Sequence, residues 1–172
     1  MRKSDITRKT NETEIDVSFS LDGKGQADID TGVPFMDHML DLFIKHGQFD
    51  GRIHANGDTH IDDHHTTEDI GIVLGQAVLE ELGDKKGLRR YGNAFVPMDD
   101  ALAQVVIDCS NRPHLEFRGD IPNAKVGSFD TELVHEFFFI LVTQSLKEFI
   151  YIFFVFPCSP VSFAHSFSML VS

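Results

Sequence analysis

One order of periodic segments is laid down before residue 88 of this 172-residue chain and then begins again after it. Thr13 to Leu21 alternates apolar and polar side chains (Ile15, Val17, Phe19, Leu21), which predicts a strand with one buried face. Asp22-Gly23-Lys24-Gly25 is a turn, and Gln26 to Asp30 is expected to return as the hairpin partner. Pro34 suits the first turn of a helix running to about His46, with Phe35, Met39, Leu42 and Phe43 as apolar positions and Gly47 as C-cap. Phe49 to Ala55 reads as a strand, closed by the turn Asn56-Gly57-Asp58. A second helix is predicted from about Thr66 to Leu82, buried through Ile70, Val73, Leu74, Ala77, Val78 and Leu82 and ended by Gly83. The series then restarts. Ala94 to Met98, Leu102 to Asp108 and His114 to Arg118 read as strands, and a third helix starts near Asp130 or Thr131 with Glu132 in its first turn.

Two similar halves of about 85 residues predict an α+β fold, a tandem duplication in which each sheet is backed by helices. The expected units are a first half over 1–88, the start of a second over 89–146, and an apolar tail over 147–172. A complete second half would close with a charged amphipathic helix. The tail, FIYIFFVFPCSPVSFAHSFSMLVS, has no acidic residue after Glu148 and no helical period, so the second half is expected to be incomplete. Its aromatic, uncharged, β-prone composition marks an aggregation liability. The hypothesis at this level is translation out of frame or through an intron, with the apolar stripe of the second half exposed and solubility poor.

Composition narrows the functional classes. A net charge of -12 argues against a nucleic-acid or acidic-membrane partner, while a few local arginines can still bind a small phosphate ester. Cys109 and Cys158 form neither a metal spacing nor a disulfide framework, which fits a reducing, cytoplasmic setting. No signal or transit pattern is expected in MRKSDITRKTNETEI. The longest apolar run, Phe149 to Phe156, falls far short of the ~20 residues a membrane helix needs.

The chemistry-bearing residues concentrate between His38 and His65, where six of the nine histidines fall. Asp62-Asp63-His64-His65-Thr66-Thr67-Glu68-Asp69 opens the second helix, where Glu68 lies one turn from both imidazoles. Successive helical residues diverge by ~100°, so the two rings fit one ligand for each of two metals better than two ligands for one. The plainer reading is a polar helix start whose acidic residues complement the dipole. His38, between Asp37 and Asp41 on the preceding helix, favours the metal. Imidazole with carboxylate suits Mn, Fe, Co or Zn, and does not suit calcium. A hydrolytic zinc helix is excluded at His135-Glu136, because Phe139 stands where the second histidine belongs. Arg8-Lys9-Thr10-Asn11-Glu12-Thr13, Arg89-Arg90 and Asn111-Arg112-Pro113 would by themselves be ordinary surface charge.

In order along the chain stand RKTNETEI, GVPFMDHMLDLFIKHG, DDHHTTEDIGIVLG, KGLRRYGNAFVPMDDAL, CSNRPHL and VGSFDTELVHEFF. Over roughly residues 5 to 146 this resembles the imidazoleglycerol-phosphate dehydratases. The resemblance implies a duplicated fold like the second domain of ribosomal protein S5, assembly into homo-oligomers, and active sites at subunit contacts around paired manganese ions, two per complete site. It implies dehydration of imidazoleglycerol phosphate to imidazole acetol phosphate in histidine biosynthesis. By resemblance His38, His64, His65 and Glu68 are the first-half metal ligands and Glu12 the acid/base residue. Arg90 and Arg112 would contact substrate, with Glu12, His38, His46, His64 and Glu68 also against it. The proton removed beside the imidazole is not acidic, so a Lewis-acidic metal on a ring nitrogen, through imidazolate-like chemistry, is what lowers the barrier.

The second half departs from the pattern. The position usually held by histidine on the third helix is Glu136, with His135 one residue off, and either can ligate manganese. The window of the second His-His-x-x-Glu motif holds Ser159, Pro160, Val161 and Ser162, and the isolated His165 is no replacement. The chain is accordingly expected to be defective as a catalyst. The alternatives are a non-catalytic metal-binding or assembly subunit of the same descent, and an unrelated two-metal hydrolase.

Overall fold

The computed structural model describes residues 2–98, 101–110, 112–119, 121, 123–145 and 149–155. Strands β1 (Ser4–Lys9) and β2 (Thr13–Ser20) form an antiparallel hairpin with Arg8 opposite Ile15. After them come β3 (Gln26–Asp30), helix α1 (Pro34–Gly47), β4 (Asp50–Gly57) and helix α2 (His64–Leu82). The sheet order is β1-β2-β4-β3, with β4 antiparallel to β2 and parallel to β3.

The expected β2–β3 hairpin is therefore not formed. The partner of β2 on that side is β4, and α1 supplies the crossover that a parallel β3–β4 pair requires. The side chains of β3 explain its place: Gln26, Asp28 and Asp30 are exposed and only Ala27 and Ile29 pack on the core, as suits an edge strand.

The second half runs β5 (Tyr91–Met98), β6 (Ala101–Asp108), β7 (His114–Arg118), a short hairpin of β8 (Lys125–Val126) and β9 (Phe129–Asp130), α3 (Glu132–Ser145) and β10 (Phe149–Val155). Its sheet order is β5-β6-β10-β7, with β10 antiparallel to β6 and parallel to β7. Replacing β1, β2, β3, α1 and β4 by β5, β6, β7, α3 and β10 reproduces the first sheet strand for strand. The fold is α+β, and its topology is consistent with the expected duplication. Residues 149–155, which the sequence reading set apart with the tail, occupy the inner position of β4. An uncharged, β-prone run is what a strand flanked on both sides calls for. Residues 156–172, with Cys158, the 159–162 window and His165, lie outside the described residues.

Between the sheets the apolar faces merge into one core. Ile15, Val17 and Phe19 of β2 and Ile53 of β4 meet Ile70, Val73, Leu74 and Ala77 of α2, and Leu133, Val134, Phe137, Phe138 and Val142 continue it along α3. Helix α1 is turned relative to expectation. It buries Met36, Met39, Leu40 and Ile44, leaving Phe35 and Phe43 half-buried beside the core, because its 36/40/44 edge faces its own sheet. Its C-cap also differs: the left-handed residue is Gln48 (φ 55°), not Gly47. Gly47 is needed for space instead, since a Cβ there would run into the Phe49 ring.

Helices α2 and α3 cross at Gly71, where an added Cβ would lie 3.2 Å from Ile140 Cγ2 and 3.4 Å from the Phe137 carbonyl oxygen. An Ala at this site needs a shift of a few tenths of an ångström, offset by the ~1 kcal/mol helical advantage of Ala over Gly. A β-branched side chain has no such room. Gly71→Val is expected to lower stability by about 1–3 kcal/mol and Gly71→Ala by less than about 1 kcal/mol, read from denaturant unfolding. Equal stability of the two variants would show that the helices do not approach closely here.

Candidate functional site

The first turn of α2 presents His64 and His65 to solvent, their side chains 48 % and 47 % exposed. The rings stand edge to face with centroids 6.0 Å apart, the divergence that a helix imposes on neighbours. One turn on, Glu68 Oε2 lies 3.8 Å from His64 Nε2. Two donors each ~2.1 Å from a shared ion would stand roughly 3 to 3.5 Å apart, so a small rotation of either side chain closes this pair on one metal. Asp62 accepts the His64 N–H at 2.9 Å and Asp63 caps the helix by its carbonyl, to Thr67 N–H at 3.0 Å. The acidic residues before α2 therefore serve the helix start, which leaves the metal reading of the motif open beside it.

His65 is oriented from below. Its Nδ1 lies 3.0 Å from Asp58 Oδ2, on a carboxylate only 14 % exposed. With Nδ1–H donated to Asp58, Nε2 keeps its lone pair and points away, the tautomer a metal ligand needs. Gly57 makes the arrangement possible: a Cβ there would strike Thr66 Oγ1 in the first turn of α2. The end of β4 thus slides beneath the helix start and delivers Asp58 to His65. Asp58 Oδ1, Thr66 Oγ1 and Thr67 Oγ1 are buried without a hydrogen-bond partner among the described residues.

Glu12 sits at the tip of the β1–β2 hairpin, exposed, and its charge helps raise the pKa of His65. Thr13 pairs with Gly57 in the sheet register, which brings the tip beside the end of β4. Lys9, Thr10, Asn11, Glu12, Asn56 and Gly57 line an open hollow of about 200 Å³ there. Hairpin tip, strand end and helix start converge on one place.

The two candidate arginines both act on Asp108, Arg90 by direct bonds and Arg112 through space. Arg90 holds Asp108 in a fork, Nε to Oδ1 at 2.7 Å and Nη2 to Oδ2 at 3.2 Å, and its guanidinium lies 5.0 Å from the Tyr91 ring centre. Asp108 is lowered from its ordinary pKa by the Arg90 bond first, with Arg112 adding to it through space. Of the two, Arg90 alone bonds the carboxylate, and Arg112 is near enough to add to the positive field around it.

The remaining sequence-derived residues lie apart from α2's first turn. His38 is exposed on α1, and His46 is half-buried in its last turn. Glu136 is half-buried four residues into α3, the same position that His38 holds in α1. His135 is stacked on Phe139 and edge-on to Phe117. Among the described residues, no three imidazole, thiol or carboxylate side chains gather round a single point.

Comparisons with known proteins settle the descent. The family model for imidazoleglycerol-phosphate dehydratase matches residues 31–148. The imidazoleglycerol-phosphate dehydratase of Geobacillus thermodenitrificans (strain NG80-2) is 72 % identical over 144 residues, 84 % of this chain and 74 % of the relative. That of Bacillus subtilis (strain 168) is 72 % identical over 145 residues, 84 % of this chain and 75 % of the relative. The crystal structure of the Staphylococcus aureus subsp. aureus N315 enzyme superimposes with a TM-score of 0.85 at 39 % identity, covering 98 % of this chain and 95 % of that one. The chain belongs to the imidazoleglycerol-phosphate dehydratase family. The family's enzymes are hydro-lyases of histidine biosynthesis, and the unrelated-hydrolase reading falls away.

Within this dehydratase family framework, sequence reasoning missed Asp58 and Asp69. Asp58 was read as a turn residue, and the only available hint was its spacing of seven from His65. Asp69 lay in a noted motif but had no assigned task. Its carboxylate is buried and bonded to Arg8 and Thr13, so RKTNET is no free terminus.

The Asp58 bond, together with the nearby charges of Asp58, Asp62 and Glu12, raises the His65 pKa above 6.5 in the metal-free protein. A raised folded-state value means the pair favours folding below the unfolded pKa, and this contribution fades as pH climbs through the folded value. NMR titration of the His65 ring should show its midpoint drop toward the ordinary value in Asp58→Asn. An unchanged midpoint would remove Asp58 as the orienting group.

Proposed function

We propose that this chain builds the first-half portion of a manganese-dependent dehydratase site for imidazoleglycerol phosphate. The observation that carries the reading is the convergence of the Glu12 tip, Asp58 and the His64-His65-Glu68 motif at the start of α2. His64 and Glu68 would share one ion and His65 would hold the other, with His38 and Glu136 contributed from their helices as further ligands. Their donor set, imidazole plus carboxylate with the His65 ring already held by Asp58, suits manganese. Bound there, the metal supplies Lewis acidity toward a substrate ring nitrogen.

The chain's own residues do the rest. Glu12, at a hairpin tip and open to solvent, moves a proton at the carbon beside the ring. Arg90 and Arg112 hold the phosphate by charge-assisted bonds, with Asp108 keeping the Arg90 fork extended until the anion arrives. His46 lies against the substrate. His38, His64 and His65 are exposed, which fits homo-oligomeric assembly in which a second copy completes the site. No helix of the described residues is long and apolar enough to cross a membrane, and we place the protein in the cytoplasm with no nucleic-acid or membrane partner.

The sequence carries the His-His-x-x-Glu motif once. Changes to residues that merely hydrogen-bond the metal ligands cost ~10- to 100-fold in activity, so three missing ligands cost more. Water elimination by the purified chain with Mn2+ is expected more than a hundredfold below that of the Geobacillus thermodenitrificans relative. Substrate binding should still be strengthened by Mn2+ and weakened at least tenfold by Arg112→Ala. Turnover matching the relative would overturn the incomplete-site reading, and binding indifferent to both Mn2+ and Arg112 would overturn the site itself.

A further inference from the structure

We propose that Asp69 is a positioning residue for proton transfer: its buried carboxylate fastens the turn that carries Glu12 to the metal-bearing end of α2. This deepens the site described above and rests on the reading of Glu12 as the acid/base group.

Asp69 follows Glu68 directly, yet it points the other way, inward, at 7 % exposure. One of its oxygens accepts Arg8 Nε at 2.7 Å, and the other accepts the Thr13 hydroxyl. These partners sit on opposite sides of the hairpin turn, Arg8 in β1 and Thr13 at the first position of β2. A single carboxylate therefore pins both legs of the turn. Within the turn, Thr10 Oγ1 accepts the N–H of Glu12 at 3.1 Å and of Thr13 at 3.0 Å, and lies 3.2 Å from Thr13 Oγ1.

Proton bookkeeping orders this chain of bonds. An ionised carboxylate only accepts, so the one Thr13 hydroxyl proton goes to Asp69. Thr10 must then donate to Thr13, which fixes its lone pairs toward the two amides. The sequence Asp69, Thr13, Thr10, Glu12 amide is thus a continuous hydrogen-bonded path from the helix to the backbone of the acid/base residue. Asp69 is turned into the interior while His64 and His65 are exposed, so it does not share their face of the helix.

Among the described residues, the tip is otherwise held by the strand ladder, the exposed Lys9–Glu14 ion pair and the turn bonds around Thr10 and Thr13. Removing the anchor should leave α2 and its imidazoles in place and let Glu12 wander. A misplacement of ~1 Å at a reacting group is enough to cost 10²-fold in rate.

The test is amide hydrogen exchange on the full chain for Asp69→Asn, Thr13→Val, Thr13→Ser and the Asp69→Asn/Thr13→Val double variant. The Glu12 and Thr13 amides should exchange at least tenfold faster in Asp69→Asn and in Thr13→Val, with α2 amides near Val73 within twofold of the native rate. Thr13→Ser, which keeps the hydroxyl, should restore native protection, and the double variant should exchange no faster than Asp69→Asn alone. Mn2+ affinity by EPR should stay within threefold, while residual turnover falls at least tenfold at unchanged KM. Native exchange at Glu12 in Asp69→Asn, or acceleration spread equally through α2, overturns the proposal; should Asp69→Asn not fold, Thr13→Val decides it. Native turnover in Glu12→Gln, with the exchange result intact, would instead sink the assignment of Glu12 and spare the anchor.

Discussion

Helix α2 is held on two faces at once, and the rest of the molecule is arranged around that confinement. One side lies on β1, β2 and β4 through Ile70, Val73, Leu74 and Ala77; the other meets α3 at Gly71, too closely for a β-branched side chain. A helix gripped along its length cannot roll, so the direction of its first-turn side chains is set by packing far from the chemistry. His64, His65 and Glu68 inherit their aim from an apolar interface. Gly57 then admits β4 beneath the same turn, and Asp58 sets the tautomer of His65.

The electrostatics separate local from global charge. A chain with net charge -12 would repel a phosphate ester at long range, yet Arg90 and, through space, Arg112 set two positive charges against the single carboxylate of Asp108. Asp108 is the inexpensive part of that device: it is half-buried, it keeps the Arg90 fork in shape, and a phosphate can compete for the same donors. Around α2 the sign is opposite. Asp58, Asp62 and Glu12 all favour a cation near His65, whether a proton or a metal ion.

Much of this was legible in the sequence, and the failures share a cause. Helix α2, strand β7 and the recurring order of elements follow from period and punctuation alone, which are local properties. The direction of β3 does not, because alternation is identical for parallel and antiparallel pairing, and only the crossover by α1 decides it. The buried edge of α1 was misjudged for a similar reason: Met36, Leu40 and Ile44 and the Phe35/Phe43 pair are both helically spaced, and tertiary contacts choose between them. RKTNET looked like a solvated terminus since the carboxylate that fixes it lies 61 residues away from Arg8 and 56 from Thr13. Strand β10 looked like an aggregation hazard because, without its neighbours β6 and β7, it would be one.

The claim beneath all of this is that two adjacent imidazoles, with Glu68 one turn on, form an inner shell for transition-metal ions. Titrating free Mn2+ into the protein while following the EPR signal of the hydrated ion tests it without any need for turnover. The native chain should deplete that signal, and the His64→Ala/His65→Ala double variant should leave it at the level of buffer. Equal depletion by both proteins would place the manganese elsewhere and contradict the role given to the start of α2.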